Sequence, residues 1–415
     1  MSETLAVEPL EEPGVQSEGV SLMTCDVLVV GAGVAGLSAA VQAAREGART
    51  VLMEKKDHPG GIAVGGMHRF ICGLYANGYA MPDTTLNGGI AAEVCAGLKG
   101  LAPDKEVRRM GKVYVLPFTT RDLVSTLRSL SNGEPCLELL YDTEAISVRM
   151  EENSIVSVEA RAQSGKFDIR PAAVIDCSGD GKIVQMSGVG HQVTPASHRQ
   201  LAGYAFRLKG LQEFDETLPV KVLYHLTKAV RENEIPSHLR FTTYAPGDDP
   251  DEGYCRLSVP PAGEDRNRRA RNDALLVHRY LSGVLDAFKG SSIVEMSAEV
   301  VDREGPRVCG EYTLSADDVL TGRKFPDGAV KNAWPIELWD QERGPSHRYL
   351  DPGDHYEIPL RCLKAKAISN CWCAGRCISA THEALGSTRV IGTCISLGEQ
   401  AGREAAQGAR RVDRR

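Results

Sequence analysis

Apolar and polar positions along this chain predict a repeating succession of buried strands, helices and short alternating strands. Residues 27–30, VLVV, form an unbroken apolar run of the kind that a strand covered on both faces of a parallel sheet requires. Residues 37–45 are alanine-rich helix formers, Gly47 closes them, and residues 50–53 return to a strand pattern. The buried-strand pattern recurs at 173–176 and at 368–374, where Gly375 supplies a turn. Segments 137–141, 145–150, 155–162 and 166–169 read as short strands and predict a meander covering the sheet. Farther along, 272–288 has helical periodicity and 293–301 alternates like a half-buried strand. Residues 390–406 read as a long helix, with Ser387 or Thr388 placed to cap it. The segment 239–265, rich in proline and acid, reads as an exposed loop near a substrate entrance or as a plain insertion.

The first strand runs directly into Gly31, Gly33 and Gly36, spaced G-x-G-x-x-G. In that context the first glycine permits a tight turn, the second lets backbone approach a pyrophosphate, and the third lets helix pack on strand. Glu54, at the end of the second strand and followed by Lys55, can accept hydrogen bonds from a ribose 2'-hydroxyl and would repel a 2'-phosphate. Strand, glycines, helix, strand and acid in this order predict a dinucleotide clamp on a Rossmann-like α/β domain. The competing interpretation is a membrane span, because 27–44 lacks charge and has the length to cross a bilayer. Three glycines and Gln42 make it a poor hydrocarbon-facing helix. Residues 1–23, acidic at Glu8, Glu11, Glu12 and Glu18 and without a basic residue, offer no positive flank or signal-peptide start and are expected to be a disordered tail.

Length changes the picture only by allowing two or three domains in 415 residues. A net charge of −7 gives no general reason to expect nucleic acid or an anionic membrane as partner. The 12 cysteines are scattered and contain no C-x-x-C, which predicts buried thiols in a reducing, cytoplasmic setting rather than a disulfide redox centre. Cys371, Cys373 and Cys377 lack a matching second pair, so no metal is expected there. The four arginines within 266–271 are flanked by Glu264, Asp265 and Asp273 and read as a solvated helix start.

The glycine clamp with Glu54, the stretch AVIDCSGDG that ends in Asp176, Gly179 and Asp180, and AGRCISATHEALGSTRVIGTCISLGEQAG together resemble the FAD-dependent oxidoreductases of glutathione-reductase-like fold. The branch is the one related to fumarate reductase flavoproteins, within the broad bacterial group known simply as FAD-dependent oxidoreductases. The resemblance covers 24–78, roughly 140–190 and roughly 300–407. It implies non-covalent FAD, with Gly31, Gly33, Gly36 and Glu54 at the ADP half and Gly60 and Gly61 near the ribityl chain or ring. It further implies that Gly375, Arg376, Ser387, Thr388 and Arg389 line the flavin side. Cys177 and Ser178 stand where the family commonly shows Ala-Thr, and the serine keeps the hydroxyl. The implied architecture is a discontinuous FAD-binding domain over 24–192 and 352–410, a parallel sheet with a β-meander, and an inserted α+β second domain over 193–351.

No second strand-glycine-helix fingerprint is present for a separate nicotinamide domain, so electrons are expected to enter from the substrate itself or from a transiently docked donor, with an external electron acceptor or donor as partner. Flavin carries the redox chemistry, and the chain must orient the substrate and handle a proton. His68 or His382 can take that proton, each with a structural alternative, backbone bonding for one and turn capping for the other. Arg69 can orient a carboxylate or carbonyl, and Arg303 and Arg307 are candidate contacts from the second domain, with surface ion pairing as their alternative. The expected reaction is hydride transfer from CH–OH or CH–NH of a small polar molecule. Reduction of an activated C=C bond and a flavin-bearing electron-transfer subunit are the rivals.

Overall fold

The computed structural model describes residues 21–212 and 216–412. Its main sheet is built around the strand Ser21–Val30, which pairs parallel with Thr50–Met53 on one side and with Gly165–Asp176 on the other. Residues 1–20 of the expected tail lie outside the described residues. Residues 21–23, also placed in that tail, instead pair with Phe167, Asp168 and Ile169.

Two expectations about the meander change. Leu137–Leu140 pairs parallel with Thr50–Met53 and so extends the parallel sheet. The segments 166–169 and 173–176 are one continuous strand, Gly165–Asp176. Its first half pairs antiparallel with Ser154–Ala162, and its second half pairs parallel with Cys371–Cys373. The remaining meander strand is Glu144–Glu151. Thr50–Met53 is buried along its whole length, as a strand inside a covered parallel sheet should be.

Helix Val34–Arg45 is buried from Val34 through Ala44 because it lies between the sheet and the long helix Ile391–Val412. Small residues set that crossing. A Cβ on Gly398 would come to 1.9 Å from the Ala35 carbonyl oxygen, and one on Gly402 to 2.2 Å from that of Ala39.

A second sheet is antiparallel, in the order Thr243–Pro246, Glu252–Val259, Ala202–Lys209, Ser292–Met296. One face buries Phe206, Leu208, Cys255 and Leu257 under helices Leu218–Arg231 and Arg266–Val284. The other face carries Gly203, Ala205, Tyr254 and Arg256, by the twofold alternation of strand side chains. The segment expected as an exposed loop thus supplies a central strand. The second core is confined to 202–300, whereas Leu314, Val319, Val330 and Ile336 pack in the main core. Helix Arg266–Val284 does begin at the arginine run, and Arg266 forms a paired contact with Asp302 at 2.7 and 3.0 Å.

Candidate functional site

Three glycine turns converge on the start of helix Val34–Arg45. Gly31 has φ +98°, and a Cβ there would meet the Cys177 carbonyl oxygen at 2.7 Å. Gly60 donates from its amide to the Ala32 carbonyl at 2.8 Å. A Cβ on Gly61 would stand 2.9 Å from the Gly33 Cα, and one on Gly375 would stand 3.2 Å from the Ala35 Cβ. Gly36 is locked by packing, since its Cβ would fall 1.7 Å from the Gly31 carbonyl oxygen.

Gly33 differs from all of these. Its φ is −58°, open to any residue, and no atom lies within 4 Å of where its Cβ would be. Neither backbone conformation nor packing within the chain requires a glycine, so the space beside it is a cradle that a side chain would fill. The helix begins there without a side-chain cap, and the amides of Ala35 and Gly36 have no acceptor among the described residues. Open backbone, free amides and a helix N-terminus fit a pyrophosphate.

Glu54 is buried and does more than await a ribose: it accepts from the amides of Ala32 at 2.6 Å and Lys56 at 3.0 Å. It braces the glycine loop, and a carboxylate with about four acceptor sites still has capacity for a sugar hydroxyl. Lys55 itself is exposed. Asp176 caps the next turn, accepting from Ser178 Oγ at 2.6 Å and from the amides of Ile183 and Val184 at 2.8 and 3.2 Å. Burial pushes its carboxyl above the usual range in spite of those bonds. Asp180 pairs with Arg376 at 2.6 Å, and Arg376 also donates to the Gly179 carbonyl and to that of Asp302. Arg376 is thereby a clamp between turns.

Ser387 and Thr388 do not cap the final helix as expected. Both lie in the short helix His382–Thr388, whose cap is Thr381. The Ser387 hydroxyl donates to the Trp334 carbonyl at 2.5 Å. Thr388 is fully buried, and its Oγ1 has no partner.

Beside these turns lies a cavity of about 700 Å³, lined by His68, Arg376, Arg389 and Ile391 and, from the second sheet, by Gly203, Tyr254 and Arg256. Trp334, Glu337 and Trp339 close it from a third direction. His68 has a buried Nε2 without a partner. Burial, then Arg256, Arg303 and Arg389, hold its pKa well below the ordinary histidine value, so it is neutral near pH 7. Glu337 accepts from the Trp339 indole at 2.6 Å. Burial pushes its carboxyl up, but Arg389, that indole bond and Arg303 outweigh it and leave the group ionised.

Other candidates lie elsewhere or are committed. His382 does not line the cavity; its Nδ1 is 2.9 Å from Glu304 Oε2, in a buried network with Thr194 and Arg307. The two histidines are not brought together. Arg69 reaches the cavity wall, but it is bound to the Pro246 carbonyl and Asp248 and stacks on Tyr254 at 4.0 Å. Arg307, 4% exposed, is not a surface ion pair but part of the Glu304 network. Sequence reasoning missed Arg256, Glu337, Trp334 and Trp339. The first was detectable, because apolar Cys255, Leu257 and Val259 alternate with Tyr254, Arg256 and Ser258.

Among the described residues no helix is long and apolar enough to cross a membrane. A search of curated proteins finds no match. Among solved structures, a geranylgeranyl bacteriochlorophyll reductase-like protein from Thermoplasma acidophilum is similar over 95% of this chain and 80% of its own, with 12% identity and TM-score 0.48. p-Nitrophenol 4-monooxygenase from Pseudomonas putida is similar over 94% and 80%, with 12% identity and TM-score 0.46. The family model for FAD dependent oxidoreductase matches residues 26–412, so this chain belongs to the FAD-dependent oxidoreductases.

Proposed function

We propose that this flavoenzyme removes hydride from a CH–OH or CH–NH group of a small polar organic molecule held in the cavity between the glycine turns and the second sheet. The observation that carries this reading is the cavity wall itself: the neutral imidazole of His68, with an unpartnered Nε2, beside charged and indole groups able to orient a substrate. A cavity of about 700 Å³ also gives no support to a pure electron-transfer subunit, which needs no substrate chamber.

In this reading Gly31, Gly33, Gly36 and Glu54 hold the ADP half of non-covalent FAD, and Gly375, Thr388 and Arg389 lie toward its flavin half. FAD, when bound, supplies a two-electron acceptor. The chain supplies position and proton handling. His68 Nε2 takes the hydroxyl or amine proton. Arg376 and Asp180 fix the turn beneath. An external acceptor then restores the enzyme, consistent with the absence of a second dinucleotide fingerprint. The thiols, most of them buried and none in a disulfide, suit a reducing cytoplasm.

Anaerobic titration of the holoenzyme with alcohols and amines tests the reading. Stoichiometric bleaching of the flavin absorbance by a member of the panel is expected. If none reduces the enzyme while an activated alkene reoxidises its chemically reduced form, the direction is reversed and the proposal falls.

A further inference from the structure

The cavity contains more positive charge than the chain neutralises. The Arg256 side chain, half-buried on the cavity wall, has no hydrogen bond or ion pair among the described residues. Arg303 is 8% exposed; it lies 4.0 Å over the Trp339 ring and donates to the Leu201 carbonyl, without a carboxylate partner. Arg389 has only long contacts, 3.4 Å to Gln200 Oε1 and 3.3 Å to the Glu337 carbonyl, and its Nε is buried and unbound. The ideal Cβ position of Gly203 lies 3.8 Å from an Arg303 nitrogen and 3.9 Å from one of Arg256, so the two guanidinium groups flank a point where the sheet has no side chain. The anion facing all three is Glu337. Asp302 and Glu304 also act on Arg303 and Arg389, but they are paired with Arg266 and His382, so positive charge on the cavity wall exceeds the carboxylate charge left to face it.

Buried charge without a partner is costly, and guanidinium groups with free planar donors match a carboxylate two bonds at a time. Burial and the neighbouring Arg389 already press the Arg303 pKa down, a strain that an arriving anion relieves.

We infer that the substrate is an organic carboxylate, bound through its carboxylate by Arg256 and Arg303, with its reacting carbon on the His68 side of the cavity. This deepens the proposed oxidation and rests on it for the reacting group, but carboxylate binding is measurable without turnover. Tyr254 and Trp339 supply flat apolar walls for the body of such a molecule.

The test is a binding titration of flavin-loaded protein with acetate, succinate and benzoate, each against its neutral amide, and with inorganic phosphate. Flavin absorbance and calorimetry are the readouts. At least one carboxylate is expected to bind ten-fold or more tightly than its amide. Arg256→Gln should abolish most of that preference at unchanged FAD content, and Arg256→Lys should restore part of it. Equal binding of acid and amide, no binding by any of the carboxylates, or phosphate binding tighter than every carboxylate overturns the inference. If Arg256→Gln fails to fold, the acid-amide comparison on the parent protein still decides. A flavin-loaded protein that binds carboxylates but is reduced by no alcohol or amine sinks the proposed oxidation and leaves the anion site standing.

Discussion

Replacing Gly33 by valine separates a glycine kept for a ligand from one kept for the fold. At φ −58°, with no atom within 4 Å of the Cβ position, the new side chain strains nothing within the chain. Valine is a poorer N-cap than glycine, so the apoprotein should lose only about 1 kcal/mol. The ligand side is different. Two amides, those of Ala35 and Gly36, have no acceptor among the described residues. If valine keeps the pyrophosphate from both, and each charge-assisted bond is worth about 1.5–3 kcal/mol, the loss is about 3–6 kcal/mol. At about 1.4 kcal/mol per decade, FAD affinity should fall ~10²–10⁴-fold. Fluorescence titration of apoprotein with FAD, beside a thermal melt, measures both quantities. Gly36→Ala is the contrast: its Cβ would fall 1.7 Å from a carbonyl oxygen, so the fold itself should fail. A Gly33→Val protein that binds FAD within threefold of the parent, or an apoprotein that unfolds as badly as Gly36→Ala, refutes the reasoning.

Thr388→Val removes a buried hydroxyl that has no partner. The apoprotein should become no less stable and FAD binding should weaken about ten-fold, the worth of roughly one hydrogen bond; unchanged FAD affinity would place the hydroxyl outside the cofactor site. His68→Gln should slow substrate-driven flavin reduction about 10²–10⁴-fold at normal FAD content, as read by rapid mixing. The same variant has a stability signature. A histidine whose folded pKa is depressed binds fewer protons folded than unfolded, so stability is present above its unfolded value of 6.5 and is lost as pH falls below it. Denaturant midpoints of His68→Gln should therefore fall less steeply than those of the parent below pH 6.5; parallel curves would contradict the burial of a neutral ring. Asp176→Ala leaves the amides of Ile183 and Val184 without an acceptor and should cost at least about 2 kcal/mol in urea unfolding, whereas a change within 0.5 kcal/mol or so would show that the turn is held by other means.

The strand–turn–helix unit at Gly31, Gly33 and Gly36 was legible because its parts are contiguous: a four-residue apolar strand, three spaced glycines and a closing acid need no distant partner to be interpreted. Leu137–Leu140 was placed in the meander because a short apolar strand does not state its neighbour; the parallel pairing with Thr50–Met53 decides that. The arginine site was not legible as a unit, since Arg256, Arg303 and Arg389 come from three separate segments and meet only across the cavity. Arg256 was hidden further by proline and acid around its strand, which outweighed a clear alternation. His382 looked equivalent to His68 because each follows a turn near the predicted site, but Glu304, 78 residues earlier in the chain, claims it.

The crossing of Val34–Arg45 with Ile391–Val412 orders events during synthesis. Gly398 and Gly402 seat against Ala35 and Ala39, and Cys371–Cys373 completes the sheet beside Asp176. The N-terminal helix whose start forms the cradle thus acquires its covering layer only from Ile391–Val412, far along the chain. Contacts of such long sequence separation form slowly. A chain truncated before Cys371 should therefore hold the complete glycine fingerprint yet retain no flavin.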